Sequence, residues 1–163
     1  MTASYSARVN ALSLQGLVKS FGPLRAVDGL DLDVPPGICM GLLGPNGAGK
    51  STTMRMITGQ VLADAGRITV LGHDVPARSK QARAVMGVVP QQDNLDVELS
   101  VRANLEVFAT LYHLRGHARR QAVDRAVQIA RLDDRQSTRA EDLSGGMKRR
   151  LLIARGLVHS PQV

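Results

Sequence analysis

The chain has 163 residues and 44% hydrophobic content, which suits a globular protein with one ordinary core and excludes a disordered one. Its formal net charge is +7, and residues 115–163 alone hold eleven Lys and Arg against five Asp and Glu. Two Phe and two Tyr offer few platforms for stacked bases, so we expect no nucleic-acid partner. The excess charge indicates a solvated basic helix face, with contact to a membrane-embedded partner as the alternative.

The sequence also bears on compartment. It has no run of about 18 apolar residues, and its opening lacks the apolar stretch of a secretory signal, so we expect a cytosolic chain that does not itself cross the membrane. The single cysteine, Cys39, lies in the apolar run "GICMGLLG", which predicts a buried and chemically quiet thiol.

The first half reads as strands. Residues 1–9 are predicted to be a disordered tail, and "LSLQGLVKSFG" predicts a strand with a bulge at Gly16. In "GLDLDV" apolar residues alternate with Asp, which is typical of a half-exposed strand. The continuous apolar run "ICMGLLG" predicts a strand buried on both faces of a parallel sheet, and "GRITVLG" and "AVMGVVP" predict further strands.

From Ser100 onward the apolar period becomes helical. Three predicted helix faces consist of Val101, Leu105, Phe108 and Tyr112; of Val123, Val127 and Ala130; and of Met147, Leu151, Ala154 and Val158. The chain is therefore predicted to have an α/β part at residues 10–98 and an α-helical part at residues 99–163.

The strongest chemical signal of the first half is "GPNGAGKST", which fits the phosphate-binding pattern G-x-x-x-x-G-K-[ST] at residues 44–51. A strand is predicted before it and a helix after it, which is the setting of a phosphate loop. Glycines at 44, 47 and 49 allow backbone N–H groups to approach phosphate oxygens. Lys50 can reach the β- and γ-phosphates of a nucleotide, and the Ser51 hydroxyl suits Mg²⁺.

About a hundred residues later stands "LSGGM", which a phosphate loop of a kinase or a GTPase would leave unexplained. With both motifs, the chain resembles an ATP-binding-cassette (ABC) ATPase over nearly its whole length. In "LGHDVPARSKQARAVMGVVPQQDNLDVELSVRANLEVF" and "DLSGGMKRRLLIARGLVHSPQ" it is most similar to the ATPases of nodulation-type lipo-oligosaccharide exporters and their drug-exporting relatives. The resemblance implies a P-loop NTPase core with an antiparallel β part and an α-helical signature subdomain.

The resemblance also implies site roles for ATP and Mg²⁺. Gln91 matches the glutamine that reports on γ-phosphate and Mg²⁺, although Gln92 stays open as the alternative, and Ser51 and Gln91 would be the metal ligands. Lys50 and Gln91 are the implied catalytic residues, and Phe21 in "KSFG" would stack on adenine unless it is a plain core residue. ATP binding is implied for Phe21, Gly44, Pro45, Asn46, Gly47, Ala48, Gly49, Lys50, Ser51 and Thr52.

In the family the signature acts in trans. Two ATPase subunits pack head to tail, and the signature of one faces the γ-phosphate held by the other, so ATP lies at the interface. The matching residues are Leu143, Ser144, Gly145, Gly146 and Met147. Met147 departs from the glutamine of many relatives, and a thioether cannot make the hydrogen bonds of an amide.

The segment "HSPQV" matches the lead-in to the family's second acidic motif, and we expect the chain to be incomplete at its C-terminus. The Mg²⁺-linked Asp, the catalytic Glu and the switch histidine are not in the sequence. Asp133 and Asp134 are predicted to be a cap or a solvated pair at a polar helix end. The implied function is the N-terminal part of the ATP-binding subunit of an exporter, on the cytoplasmic face of the membrane beside a permease subunit. The alternatives are a non-catalytic nucleotide-binding fragment and a soluble ABC ATPase of DNA repair or translation.

Overall fold

The computed structural model describes residues 10–163, so the tail predicted at residues 1–9 lies outside the described part of the chain. The chain forms two compact units, one ending at Ala84 and one running over Val85–Val163. The division predicted after residue 98 stays a prediction. Within the second unit, backbone hydrogen bonds at 2.7–3.0 Å join Val85 and Gly87 to Gln162 and Val163.

The first unit is a four-stranded antiparallel sheet with two short helices. In chain order the elements are β1 (Leu12–Phe21), β2 (Leu24–Val34), α1 (Lys50–Ile57), β3 (Ala65–Val70), β4 (His73–Val75) and α2 (Ser79–Val85). The strand order is β2-β1-β3-β4, so the long strand β1 lies between β2 and β3. The side chains of Leu14 and Leu17 on β1 and of Val70 on β3 are fully buried, and so is that of Met56 on α1.

The bulge predicted at Gly16 is confirmed. The register between β1 and β2 shifts between Leu14 and Leu17, and Gly16 has a φ of 54° in the left-handed region. Asp31 of β2 fixes the shift, since its Oδ1 accepts a hydrogen bond of 2.7 Å from the Gly16 N–H. The alternation in "GLDLDV" is confirmed as well, because its Asp residues are exposed and its Leu residues are half-buried.

Two predicted strands are wrong. Residues 38–44 form no strand, and Leu43 is 92% exposed. The prediction of a buried Cys39 in the same run is also wrong, because this residue is exposed. An apolar run becomes a buried strand only if neighbouring strands pair with it, and the observed sheet of this unit gives residues 38–44 no ladder partner. The run "AVMGVVP" is likewise not a strand, because its first residues end α2 and only Val85 and Gly87 bond to the segment at Val163.

The second unit is helical, as predicted. It contains α3 (Val101–Leu111), α4 (Gly116–Ala130) and α5 (Gly145–Leu157), with single 3-10 turns at Asp133–Arg135 and Ala140–Asp142. The apolar faces expected from the sequence meet in one core. Its buried members are Val101, Leu105, Ala109, Ala122, Val123, Ala126, Val127, Ala130, Leu132, Ala140, Leu143, Leu151, Ala154 and Val158.

Within residues 10–163, none of the helices has the length and apolarity needed to cross a bilayer.

Candidate functional site

The predicted phosphate loop lies between β2 and α1. Gly49 caps α1 with φ 78° and ψ 1°, and Lys50 is the first residue of the helix. Thr53 closes the first turn, since its N–H and its hydroxyl both donate to the Gly49 carbonyl, at 2.8 and 3.0 Å. The N–H groups of the first helical turn have no acceptor inside a helix, so they remain available to an anion at this end of α1.

At Gly49 of the loop there is no room for a side chain. A Cβ at this residue would run into the carbonyl oxygen of Ala26 and would lie 3.1 Å from Cγ2 of Val27, both on β2. The left-handed φ also disfavours a side chain, independently of this contact. The start of α1 is therefore held directly against β2.

Lys50 closes the loop onto itself. Its Nζ donates to the carbonyl oxygens of Gly44 at 2.7 Å and Pro45 at 2.6 Å. Both acceptors are neutral, and charged phosphate oxygens bind an ammonium group more strongly than neutral carbonyls do. Lys50 and Thr53 also line a cavity of about 410 Å³ between the loop and β2.

Phe21 ends β1 and is 49% exposed, so it is not a plain core residue. Nζ of Lys19 lies 5.4 Å from the centre of its ring. Lys19 is held in turn by Asp64, whose carboxylate accepts from Lys19 Nζ at 2.6 Å and from the Ser20 N–H at 2.7 Å. These two hydrogen bonds, from Lys19 first and then from the Ser20 backbone, lower the pKa of Asp64. The arrangement leaves part of the ring open for stacking.

The predicted signature stands at the start of α5. Ser144 is the N-cap, and its Oγ accepts a hydrogen bond of 3.3 Å from the Met147 N–H. Capping uses a lone pair of the hydroxyl, so its hydrogen remains free to donate to another group. Leu143 anchors the motif in the helical core, while Gly145 and Gly146 are exposed at the positive end of the helix.

Met147 packs where the predicted apolar face of its helix places it. It is half-buried and packs against the core of the three helices. Its apolar side chain therefore matches its surroundings. The signature keeps its serine, its two glycines and its helix start without an amide at this position.

Gln91 and Gln92 both lie exposed in the segment between α2 and α3. The structure holds this segment at two points on α5. Nη1 of Arg149 donates to the Pro90 carbonyl at 2.9 Å, and Arg155 donates to the Asn94 carbonyl at 2.8 Å. Which glutamine serves the predicted role stays open.

Arg155 is the residue that sequence reasoning missed. The sequence predicts a solvated basic face for the charges of residues 115–163, yet Arg155 is only 4% exposed, and its burial lowers its pKa. The available signal was its spacing, because Arg155 follows Leu151 by four residues and so shares the buried side of α5.

The phosphate loop and Phe21 thus belong to the first unit, and the signature and both glutamines belong to the second. A comparison with protein families shows which family the chain belongs to. The family model described as "ABC transporter" matches residues 27–163. The chain belongs to the ABC transporter family. ATPases of this family generally bind ATP with Mg²⁺ and hydrolyse it.

Two curated ABC transporter relatives are named "Nod factor export ATP-binding protein I". The one from Rhizobium sp. (strain N33) is 50% identical over 153 residues, which cover 94% of this chain and 50% of the relative. The one from Burkholderia pseudomallei (strain K96243) is 47% identical over 155 residues, which cover 95% of this chain and 51% of the relative. The chain spans about half the length of the curated relatives it matches.

A solved structure confirms the ABC ATPase fold. The chain resembles cbiO1 from Clostridium perfringens, described as part of the ABC transporter complex cbiONQ, with a TM-score of 0.83 and 25% identity. The likeness covers 93% of this chain and 62% of that one. The antiparallel sheet and the three-helix unit are thus parts of an ABC transporter ATP-binding domain.

Proposed function

We propose that this chain is the N-terminal part of the ATP-binding subunit of an exporter, and that it binds Mg-ATP through its phosphate loop. The observation that carries the proposal is the Lys50 ammonium, held on the carbonyls of Gly44 and Pro45 at the start of α1. A triphosphate at this position would receive the helix N–H groups and the lysine together.

The residues of the loop suit a magnesium ion bound with the nucleotide. The Ser51 hydroxyl is exposed one residue after Lys50 and would be its protein ligand. When bound, the ion neutralises charge on the phosphates. A role for Gln91 in holding it stays a prediction, because Gln91 and Ser51 belong to different compact units.

Hydrolysis requires a group that polarises the attacking water, and we propose that the 163-residue chain binds nucleotide without turning it over. The resemblance assigns this role to a glutamate of the second acidic motif, which is not among these 163 residues. Phosphate release from the purified chain, compared with its Lys50→Ala variant, tests this point. Release that depends on Lys50 would overturn it.

The exporter assignment draws on the named relatives, which are export ATP-binding proteins, and on the resemblance of the signature motif. By this assignment the chain works with a membrane-embedded permease and with a second ATPase subunit in a head-to-tail dimer. It would lie on the cytoplasmic face of the membrane, with Ser144 directed to the nucleotide of the second subunit. No nucleic acid takes part.

The direct test of the proposal is titration of the chain with a fluorescent ATP analogue and Mg²⁺. Lys50→Ala should weaken binding at least about tenfold, since it removes a charged donor to phosphate. Lys80→Ala is the matched control, because Lys80 is an exposed lysine of α2 in the same unit and lies outside the loop. Equal affinities for Lys50→Ala and Lys80→Ala would show that residues 44–51 are not a phosphate site.

A further inference from the structure

Arg155 is a buried cation whose described partners are all uncharged. Its Nη1 donates to the Asn94 carbonyl at 2.8 Å, and its Nη2 donates to the Asn94 side-chain Oδ1. Its guanidinium carbon lies 4.1 Å from the centre of the Phe108 ring, on α3. Among residues 10–163 no carboxylate forms an ion pair with it.

Packing alone does not account for a charge at this position. A buried guanidinium without a carboxylate is costly, and an apolar side chain would fill the same volume with less loss of hydration. What the arginine provides is a planar fork, since two nitrogens reach two oxygens of one residue in a fixed geometry. The fork therefore fixes the backbone position of Asn94.

A second arginine of α5 fixes the other end of the same short segment. Nη1 of Arg149 donates to the Pro90 carbonyl at 2.9 Å. Gln91 and Gln92 lie between the two anchors and are exposed. One helix therefore holds both ends of the loop, residues 90–94, and that helix begins at the signature residue Ser144.

We propose that Arg155 is a positioning residue that clamps the loop at residues 90–94 to the signature helix α5, so that Gln91 and Ser144 are held in one rigid piece. Arg155 would act through Asn94 and touch neither nucleotide nor metal. The roles of Gln91 and Ser144 in this inference rest on the proposed function. The clamp itself is a property of the protein without nucleotide.

Backbone ¹⁵N relaxation of the nucleotide-free chain tests the clamp. Arg155→Lys keeps the charge and loses the fork, and we expect the order parameters of the backbone amides at residues 91–94 to fall from about 0.85 to below about 0.6. The order parameters of α4 should stay as in the wild type. Arg150→Lys is the matched control: Arg150 also lies on α5, but its Nε donates to the Ala130 carbonyl at 2.8 Å, outside the loop. It should leave residues 91–94 unchanged.

Asn94→Ala tests the clamp at the partner of Arg155. Because Asn94 is exposed, this substitution leaves the hydrophobic core intact. It should lower the order parameters of the same residues, and the double variant with Arg155→Lys should add little to either single change. Wild-type order parameters at residues 91–94 in Arg155→Lys would overturn the proposal. So would a fall throughout the chain in Arg155→Lys combined with unchanged order parameters at residues 91–94 in Asn94→Ala.

Titration with fluorescent Mg-ATP separates this inference from the proposed function. If the wild type fails to bind the nucleotide, the proposed function is wrong, while the relaxation data still decide for or against the clamp. If binding is normal in the wild type and in Arg155→Lys, and the order parameters differ as expected, both stand.

Discussion

The backbones of Gly49 and Ala26 approach each other closely. The Cα of Gly49, which caps α1, faces the carbonyl oxygen of Ala26 on β2 and leaves no room for a Cβ. We expect Gly49→Ala to lower the free energy of unfolding by more than about 1 kcal/mol, because it adds a clash to a left-handed backbone. Urea denaturation measures this. Nucleotide binding should fall in parallel, since α1 must move.

Gly41→Ala is the control for that change, because Gly41 has open space around it and no left-handed φ. It should leave unfolding unchanged. A Gly49→Ala variant as stable as Gly41→Ala would contradict the close approach of α1 to β2.

A second prediction concerns pH. The pKa of Asp64 is lowered in the folded chain, so its contribution to stability is complete above the ordinary aspartate value of about 3.9. That contribution is lost as pH falls through the lower folded value. Asp64→Asn should therefore be less stable than the wild type at neutral pH, and the difference should shrink below about pH 4.

Urea denaturation between pH 3 and pH 7 measures that difference. Asp28→Asn is the comparison, because Asp28 makes only an exposed ion pair of 3.1 Å with Arg25. Such pairs contribute little, so this variant should follow the wild type throughout. A pH-independent difference for Asp64→Asn would rule out the carboxylate's charge as the cause.

The signature serine can be separated from an ordinary cap. Ser144 and Ser100 are both N-caps. The hydroxyl of each accepts a hydrogen bond from the backbone N–H of the residue three positions later, at 3.3 Å for Ser144 and 3.1 Å for Ser100. Each Ser→Ala change should lower stability by about 1 kcal/mol. Only Ser144→Ala should weaken self-association in Mg-ATP, as sedimentation would show. Equal association of the two variants would mean that Ser144 is a cap and nothing more.

Adenine stacking on Phe21 is testable by changing the ligand. If the exposed ring binds the base, Phe21→Ala should weaken ATP binding by about 5–150-fold, the equivalent of about 1–3 kcal/mol for a stacked base. Inorganic tripolyphosphate has no base, so its affinity should not change. Calorimetric titration with both ligands measures this. An equal loss for both would show that the ring supports the loop instead.

Leu43 and Leu17 allow a direct test of the strand that the sequence predicted and the structure lacks. Leu17 is fully buried and Leu43 is 92% exposed. Leu17→Ala should cost about 2–5 kcal/mol in unfolding free energy, and Leu43→Ala less than about 0.5 kcal/mol. Urea denaturation of both variants measures the two costs. A large cost at Leu43 would mean that this residue is buried after all.

These residues also show what the sequence could reveal. Local patterns were sufficient where an element depends on itself: the three helices of the second unit, the glycine bulge in β1 and the helix that follows the loop at Lys50. They failed at residues 38–44, because a buried strand is defined by neighbours that lie elsewhere in the chain. At Arg155 the spacing from Leu151 indicates a buried position, but no local pattern identifies its partner Asn94, which is sixty-one residues away.

The central place of β1 in the sheet has a consequence for synthesis on the ribosome. β2 directly follows β1 in the chain. The other neighbour of β1 is β3, in which Val70 pairs with Leu12. The ribosome makes the whole phosphate loop after β2 and before β3. At the usual 5–20 residues per second, residues 35–70 take roughly 2–7 s to appear. For that time one edge of β1 is open to pairing with other chains. The speed of translation over this stretch therefore sets how long the nascent protein is exposed to misassembly.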